Sequence, residues 1–91
     1  MITIYKYKLG ETDTQELLIP TGSEILCLQL QNNIPCLWIK VNPDNPQFKI
    51  TIRMIGTGNP IPKNEKLSYI GTFQKQYGYD TLVFHIFQRL S

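Results

Sequence analysis

The stretch that decides the fold is "EILCLQLQNNIPCLWIKV", residues 24–41. Two segments with strand-like alternation, 24–31 and 34–41, flank the pair Asn32-Asn33. Asparagine tolerates the positive φ that a two-residue hairpin turn requires. The pattern therefore predicts an antiparallel β-hairpin whose strands meet at the two asparagines.

The register of this hairpin determines which side chains share a face. A turn at Asn32-Asn33 places Gln31 opposite Ile34, and hence Cys27 opposite Trp38. One face is then uniformly apolar, as a well-specified register requires. That face carries Leu26, Leu28 and Leu30 opposite Ile39, Leu37 and Pro35. The other face is mixed, with Trp38 at its middle, and we expect the rest of the protein or a partner to cover it.

The rest of the chain also repeats with a period of two. Further strand segments are 2–9, 15–20, 47–55, 67–74 and 81–90, with a bulge expected at Gly71. No segment has a helical period flanked by caps. We predict an all-β fold: a single domain over residues 1–91, forming a small antiparallel sandwich or barrel of six to seven short strands with little or no helix. The last strand is apolar on both faces, which predicts a central or doubly covered position.

Composition narrows the class of protein. The chain is 42% hydrophobic and 18% charged, and its net charge is +2, which is typical of a globular domain and too weak for a duplex nucleic-acid binder. No apolar run approaches the roughly 20 residues of a membrane span. The first residues lack the basic start and apolar stretch of a signal peptide. We expect a cytoplasmic protein that binds neither membrane nor duplex nucleic acid.

The residues that usually carry catalysis are scarce. With Cys27, Cys36 and His85 as the only cysteines and histidine, one chain cannot supply four zinc ligands of nitrogen and sulfur. We expect both thiols to be reduced and buried as small apolar groups, and we predict no metal or cofactor. Neither a nucleophile triad nor a pair of catalytic carboxylates is recognisable. An enzyme is not expected.

The stretch "RMIGTGNPIPKN", residues 53–64, is the most unusual in the chain. Its glycines can take positive φ and align backbone N–H groups into an anion-binding nest. The alternative is a rigid corner, since most Gly/Pro loops only connect strands. If the nest holds the phosphates of a nucleotide, a tyrosine such as Tyr69 or Tyr77 would stack on the base of that nucleotide. The candidate ligand-binding residues are then Arg53, Gly56, Thr57, Gly58, Asn59, Lys63, Lys66, Tyr69 and Tyr77.

Aromatic residues and the histidine suggest interfaces. Trp38, in the mixed face of the hairpin, suits either the second sheet of a sandwich or a subunit interface. His85 lies in an apolar strand, where it is expected to be a hydrogen-bonded core or interface residue. Tyr5 and Tyr7 project opposite to Lys6 and Lys8 on the first strand, so base stacking and charge would not share a surface there.

Six motifs together resemble a known family. They are "TIYKYKL", "IPTGSEIL", "CLWIKVNP", "IGTGNPIP", "YIGTFQ" and "LVFHIF". They occur in the order found in a family of small phage and prophage proteins catalogued as a domain of unknown function, and the resemblance covers essentially the whole chain. It implies a stand-alone phage-encoded protein in the bacterial host cytoplasm, and it implies no activity. In that family the loop often reads Gly-Thr-Gly-His-Pro-Ile-Pro, whereas this chain has Asn59 at the histidine position.

Two hypotheses for the function follow. The first is a non-enzymatic, homo-oligomeric binding protein that sequesters a small anionic or nucleotide-like ligand, such as a host immune signal. The second is a protein–protein interaction module: an inhibitor of a host defence protein or a minor virion component. A ligand site requires Arg53, Lys63 and the glycine amides to face one cavity, whereas an interface requires an exposed apolar patch.

Overall fold

The computed structural model describes residues 1–90, which form seven strands and no helix. The prediction of an all-β fold is confirmed. None of the described residues forms a helix long and apolar enough to cross a membrane. The strands are β1 (Thr3–Lys8), β2 (Thr14–Pro20), β3 (Glu24–Gln31), β4 (Ile34–Val41), β5 (Gln47–Gly56), β6 (Leu67–Tyr77) and β7 (Asp80–Arg89).

Two antiparallel sheets face each other as a sandwich. The first has three strands in the order β1-β4-β3, and the second has four in the order β2-β5-β7-β6. Alternate residues of each strand point into the space between the sheets, and most of those from β4 and β5 are almost fully buried. The central contributors are Leu37, Ile39 and Val41 from β4, Ile50 and Ile52 from β5, and Ile86 from β7.

The β3–β4 hairpin has the predicted register beside its turn. Asn32 and Asn33 have φ of 52° and 65°, as a primed two-residue turn requires. Gln31 pairs with Ile34, and Cys27 pairs with Trp38. The prediction fails at the start of β3, because a bulge at Leu26 shifts the pairing by one residue.

The bulge exchanges two side chains between the faces. Ile25, rather than Leu26, pairs with Ile39 and packs against the core, while Leu26 is 44% exposed. An alternating apolar pattern without Gly or Pro gives no signal for such a bulge. A second bulge, between Tyr69 and Gly71 in β6, lies where it was predicted. A Cβ at Gly71 would lie 3.2 Å from Leu28 Cδ2, so glycine allows β3 to pack closely on β6.

The position of β7 explains its apolar sequence. It lies between β5 and β6 and is antiparallel to both, which confirms the prediction of a central strand. β5 and β6 therefore run parallel to each other, and the segment 57–66 that joins them must cross β7. We call this segment the crossover.

The crossover lies over the outer face of the four-stranded sheet. Its first residue, Thr57, contacts His85, and Glu65 near its end contacts Arg53 and Arg89. These partners all point away from the core. Ile55 shares their face and is only 7% exposed, as expected for a side chain beneath a covering segment.

Within residues 1–90, no such segment covers the outer face of the three-stranded sheet. Leu37 and Ile39 are 0% exposed in the core, so Trp38 between them points outward and does not meet the second sheet. The two cysteines also differ: Cys36 is buried, but Cys27 is exposed, contrary to the expectation that both are buried. Cys27 pairs with Trp38 and lies on edge strand β3, on the outer face of the sheet.

Candidate functional site

Three segments singled out in the sequence meet on the outer face of the four-stranded sheet. "GTGNPIP" supplies Thr57 from the crossover, "YIGTFQ" supplies Tyr69 and Thr72 from β6, and "LVFHIF" supplies His85 from β7. We call this surface the His85 face. Strand pairing aligns it, because His85 lies opposite Thr72 on one side and Ile55 on the other.

These four side chains form one continuous chain of hydrogen-bonding groups. The Thr57 hydroxyl lies 2.8 Å from His85 Nε2, and the Thr72 hydroxyl lies 2.9 Å from His85 Nδ1. The Tyr69 hydroxyl in turn lies 2.5 Å from that of Thr72. A threonine hydroxyl can donate or accept, so both neutral tautomers of the imidazole and its cation find partners here.

Tyr69 gives the His85 face an aromatic surface. Its ring meets Phe87 in an edge-to-face arrangement with centroids 5.6 Å apart, yet 59% of the residue remains exposed. Edge contact fixes the orientation of the ring. A planar ligand can therefore stack on Tyr69 while its polar groups reach the neighbouring hydroxyls.

A cluster of charges lies further along the same face. Glu65 of the crossover is 3.3 Å from Arg53 Nε and 3.8 Å from Arg89 Nη1. Arg53 also donates a hydrogen bond to the hydroxyl of Thr14 on β2. Arg53 Nε and Glu65 Oε1 are buried without a hydrogen bond of their own, so their contact is a Coulombic one. The positive charge of Arg53 is thus paired with the carboxylate of Glu65 within the protein.

Backbone groups of the Gly-Thr-Gly segment already form hydrogen bonds within the protein. Thr57 N–H donates to Val83 C=O at 3.0 Å, and Asn59 N–H donates to Gly56 C=O at 3.0 Å. The second bond closes a four-residue turn with Gly58 at its third position, where φ is +90°, as in a type II turn. An anion nest needs several free N–H groups pointing the same way. Any anion at this point would therefore meet side chains more than backbone amides.

The other candidate ligand residues are spread more widely. Gly56 ends β5 and contacts Phe84 closely, since a Cβ there would lie 3.6 Å from its ring. Lys63 and Lys66 are exposed on the crossover. Tyr77 is at the far end of β6, beside Lys75 and on the side of the strand opposite to Tyr69. The structure thus unites Thr57, Tyr69 and His85 but leaves Tyr77 apart.

The two candidate interface residues lie on opposite surfaces. His85 is half-buried in the hydrogen-bonded chain, and half-buried Trp38 is on the outer face of the three-stranded sheet. Sequence reasoning missed Thr72 and Glu65, which complete the His85 face. Thr72 stood inside a quoted motif, but its role depends on the β6–β7 register, and nothing in the local sequence around Glu65 indicates two distant arginines.

A cleft opens beside the Gly-Thr-Gly turn. It measures about 410 Å³ and is lined by Gly56, Thr57, Asn59, Thr81, Leu82, Val83 and Phe84. Neither Arg53 nor Lys63 lines it, so the charges and the glycines do not face one cavity. Among residues 1–90, no three His, Cys, Asp or Glu side chains cluster as metal ligands would.

Comparisons with known proteins place the chain in a family. No curated protein and no solved structure matches it. A family model matches all of residues 1–91. The chain belongs to the family described as "Domain of unknown function (DUF7352)".

Proposed function

We propose that the protein is a non-enzymatic binding protein that holds a small anionic, nucleotide-like ligand on the His85 face. The ligand would lie on this open face, and not in the single cavity of Arg53, Lys63 and glycine amides expected from the sequence, because neither Arg53 nor Lys63 lines the cleft beside the glycines. The observation that carries this proposal is the chain of accessible hydroxyl and imidazole groups next to the half-exposed ring of Tyr69. Exposed hydrogen bonds of this kind add little to stability. Together with a stacking surface, they fit the ribose and base of a nucleotide.

Charge around the crossover favours an anion. Four cationic side chains lie on it or beneath it, against the single carboxylate of Glu65, so three positive charges are in excess. The cations are Arg53, Arg89, Lys63 and Lys66. With Arg53 engaged by Glu65, the exposed lysines are the groups best placed to meet phosphate oxygens.

The surroundings of His85 favour binding over catalysis. A histidine that activates a hydroxyl nucleophile is normally oriented through its other nitrogen by a carboxylate or a similar fixed acceptor. Here both ring nitrogens meet threonine hydroxyls. Such partners position the imidazole but supply no carboxylate of the kind found in a catalytic triad.

The biological setting follows from the resemblance to phage proteins. A phage-encoded protein that holds a nucleotide in the host cytoplasm would remove a host immune signal from solution. Self-association would let a small domain enclose a ligand that an open sheet face leaves half exposed. We therefore include a homo-oligomer in the proposal.

Native mass spectrometry tests the proposal directly. Protein purified from bacterial cells is weighed before and after denaturation, and any released molecule is titrated back by calorimetry, with a panel of cyclic and linear nucleotides alongside. We expect a retained or rebinding nucleotide. Lys63→Ala should weaken binding roughly tenfold or more, and Tyr69→Leu between roughly 5- and 150-fold.

Matched controls come from the same chain. Lys49→Ala removes an exposed lysine of β5, and Tyr79→Leu removes the fully exposed tyrosine between β6 and β7; both should bind as wild type does. All four variants should melt within a few degrees of wild type, because surface substitutions change stability little. Equal binding by Lys63→Ala, Tyr69→Leu and wild type would contradict a ligand site on the His85 face and would mean that the crossover only connects β5 and β6.

One observation favours the second hypothesis, an interaction module. β7 pairs with β6 from Asp80 onward but with β5 only from Phe84 onward, so its first residues have one open edge. The apolar cleft of about 410 Å³ lies along that edge. An extended segment of a partner can add there as a strand. Thr81→Pro, which would remove a backbone donor and obstruct an added strand, should then abolish capture of the partner while nucleotide binding persists.

A further inference from the structure

The outer face of the three-stranded sheet gathers an aromatic ring and lysines that the sequence had separated. Lys6 of β1 pairs with Trp38, and Lys40 of β4 pairs with Ile4. Lys8 lies two residues beyond Lys6 on the same side of β1. We call this surface, centred on the indole and bordered by the three lysines, the Trp38 face.

The Trp38 face is strongly biased toward positive charge. Its three lysines are all exposed, and its one carboxylate is that of Glu24, opposite Lys40 at the corner of the sheet. The excess of two positive charges equals the net charge of the whole chain, +2. A second copy docked here would place like charges together, which is unfavourable. The charge therefore calls for an acidic occupant.

The shape of the face is that of a platform. Trp38 is half-buried among its neighbours, and Cys36 beside it is only 1% exposed. Lys6 Nζ donates to Gln31 Oε1 at 2.6 Å, so this pair spans β4 from one edge strand to the other. Gln29 and Gln31 add exposed amides to the same surface. A compact small ligand on this open sheet surface would remain largely in solvent.

We propose that the Trp38 face binds single-stranded nucleic acid, with bases stacked on Trp38 and phosphates near Lys6, Lys8 and Lys40. An open sheet with aromatic and basic side chains is a common surface for single strands. Lys6 and Lys8 are separated by about 7 Å along β1, so they can contact successive parts of an extended backbone. Stacked bases inside a duplex cannot reach a flat indole.

An acidic protein partner would account for the three lysines of this face but not for the position of Trp38. Tryptophan anchors of protein interfaces usually fill a pocket of the partner, which requires a protruding ring. Trp38 lies half-buried within its sheet. Base stacking uses the face of such a ring and tolerates any sequence, because every base has a π-face.

The chain contains a single tryptophan, which makes the test specific for this site. Oligo-dT and oligo-U of about 20 nucleotides are titrated into the protein while intrinsic fluorescence and oligonucleotide anisotropy are recorded. We expect both signals to change together, with quenching of Trp38. Three lysine–phosphate contacts predict a slope of log K against log salt of about −2, or roughly 20-fold weaker binding at 200 mM than at 50 mM salt.

Variants separate stacking from charge. Trp38→Leu should weaken binding between roughly 5- and 150-fold and leave the salt slope unchanged, whereas Trp38→Phe should retain most of the affinity. Lys6→Gln should reduce the slope by roughly 0.7. Lys49→Gln, on the other sheet, is the control that should change neither. Melting curves confirm that each variant is folded.

Further measurements distinguish single-stranded nucleic acid on the Trp38 face from a nucleotide on the His85 face and from an acidic protein partner. Tyr69→Leu should leave oligonucleotide binding intact, and Trp38→Leu should leave nucleotide binding at the His85 face intact, so the two proposals can fail separately. Oligonucleotide binding without quenching would overturn the assignment to Trp38. So would polyglutamate that binds as tightly as oligo-dT in wild type and Trp38→Leu alike, because the face would then be an acidic-protein surface.

Discussion

The two outer faces of the sandwich are built in opposite ways. The His85 face is crossed by residues 57–66, which bury Ile55 and bring Glu65 to two arginines. The Trp38 face is crossed by nothing within the described residues, and Ile4 on it is 54% exposed. The first face is thus a partly internal surface, and the second is a surface throughout.

The difference shows that the course of a connecting segment decides whether the outer side chains of a strand are covered. β7 is apolar on both sides because a core covers one side and the crossover covers much of the other. β4 is apolar on the core side, but its outer side mixes Trp38 and Lys40 with Ile34. The outer sides of β4 and β7 therefore differ according to where the next connection of the chain runs.

Ile55 and Ile4 are a matched pair for testing this difference, and here we expect the largest effect. Ile55→Ala removes a side chain that is 7% exposed beneath the crossover, and it should lower the free energy of unfolding by about 2–4 kcal/mol. Ile4→Ala removes a side chain that is 54% exposed, and it should change the value by no more than about 0.5 kcal/mol. Urea unfolding measures both.

Equal losses for the two alanine variants would contradict the comparison. A small loss for Ile55→Ala would mean that the crossover does not cover β5 in solution. A large loss for Ile4→Ala would mean that the Trp38 face is itself packed against something, such as a second copy of the chain. Repeating the unfolding at several protein concentrations separates that case, because dimer stability depends on concentration.

The carboxylates of the two faces give the next largest effect. Glu65 is held between Arg53 and Arg89 with 18% of its side chain exposed, so Glu65→Gln leaves a partly buried arginine without its counter-ion. We expect a loss of about 1–2 kcal/mol, below the 3–5 kcal/mol of a fully buried pair. Glu24→Gln, at an exposed site on the Trp38 face, should cost less than about 0.5 kcal/mol.

The salt dependence of the Glu65→Gln loss is a further check. The loss should persist in 1 M salt, since a partly buried pair is screened much less than an exposed one. Disappearance of the loss in high salt would place Glu65 in solvent. The crossover would then be anchored only at its two ends, by Thr57 and by the hydrogen bond from Leu90 N–H to Lys66 C=O.

Much of the fold could be predicted because it depends on local patterns. The turn at Asn32-Asn33 and the bulge at Gly71 each have a residue with a specific backbone preference. The central place of β7 follows from its doubly apolar sequence. The bulge at Leu26 could not be foreseen, because leucine between two apolar neighbours fits either face and the choice is made by packing against β4.

The candidate site was only partly predictable for the same reason. Thr57, Tyr69 and His85 were identified as unusual, but that they meet depends on the β5–β7 and β6–β7 registers. The alternation of β1 predicted that Lys6 and Lys8 point away from the tyrosines next to them, but only the β1–β4 register shows that they lie beside Trp38 of another strand. Sequence neighbours on a strand point apart, so surfaces are assembled from different strands.

The cysteines report on the openness of the Trp38 face without changing stability. Cys27 is exposed on β3, and Cys36 is 1% exposed on β4. A thiol reagent should modify Cys27 in the native protein at once and Cys36 only after unfolding, and denatured protein without reductant should show two free thiols in all. Protection of Cys27 in the native protein would mean that a partner covers the face. Fewer than two thiols after denaturation would contradict the expectation of reduced cysteines.

The smallest expected effect belongs to an ion pair on neither outer face. Glu11, in the loop between β1 and β2, pairs with Lys75 near the end of β6. The hydrogen bond from Lys75, assisted by one from Tyr77, holds the pKa of Glu11 below its ordinary value. The bond to Glu11 likewise raises the pKa of Lys75.

The direction of each pKa shift fixes the pH range in which this pair stabilises the fold. Because the folded-state pKa of Glu11 is lowered, its contribution is complete above the unfolded value of about 4.3 and is lost as the pH falls through the folded-state value. Because the pKa of Lys75 is raised, its contribution is complete below about 10.4 and is lost as the pH rises through the folded-state value.

The difference in Tm between wild type and Glu11→Gln should therefore be constant at neutral pH and shrink toward both extremes. Glu16→Gln, at an exposed carboxylate of β2, is the control for loss of charge alone. The difference should be a few degrees at most and should fall with added salt, since exposed pairs are weak and screened. A Glu11→Gln curve that runs parallel to wild type at all pH values would show that the pair does not form in solution.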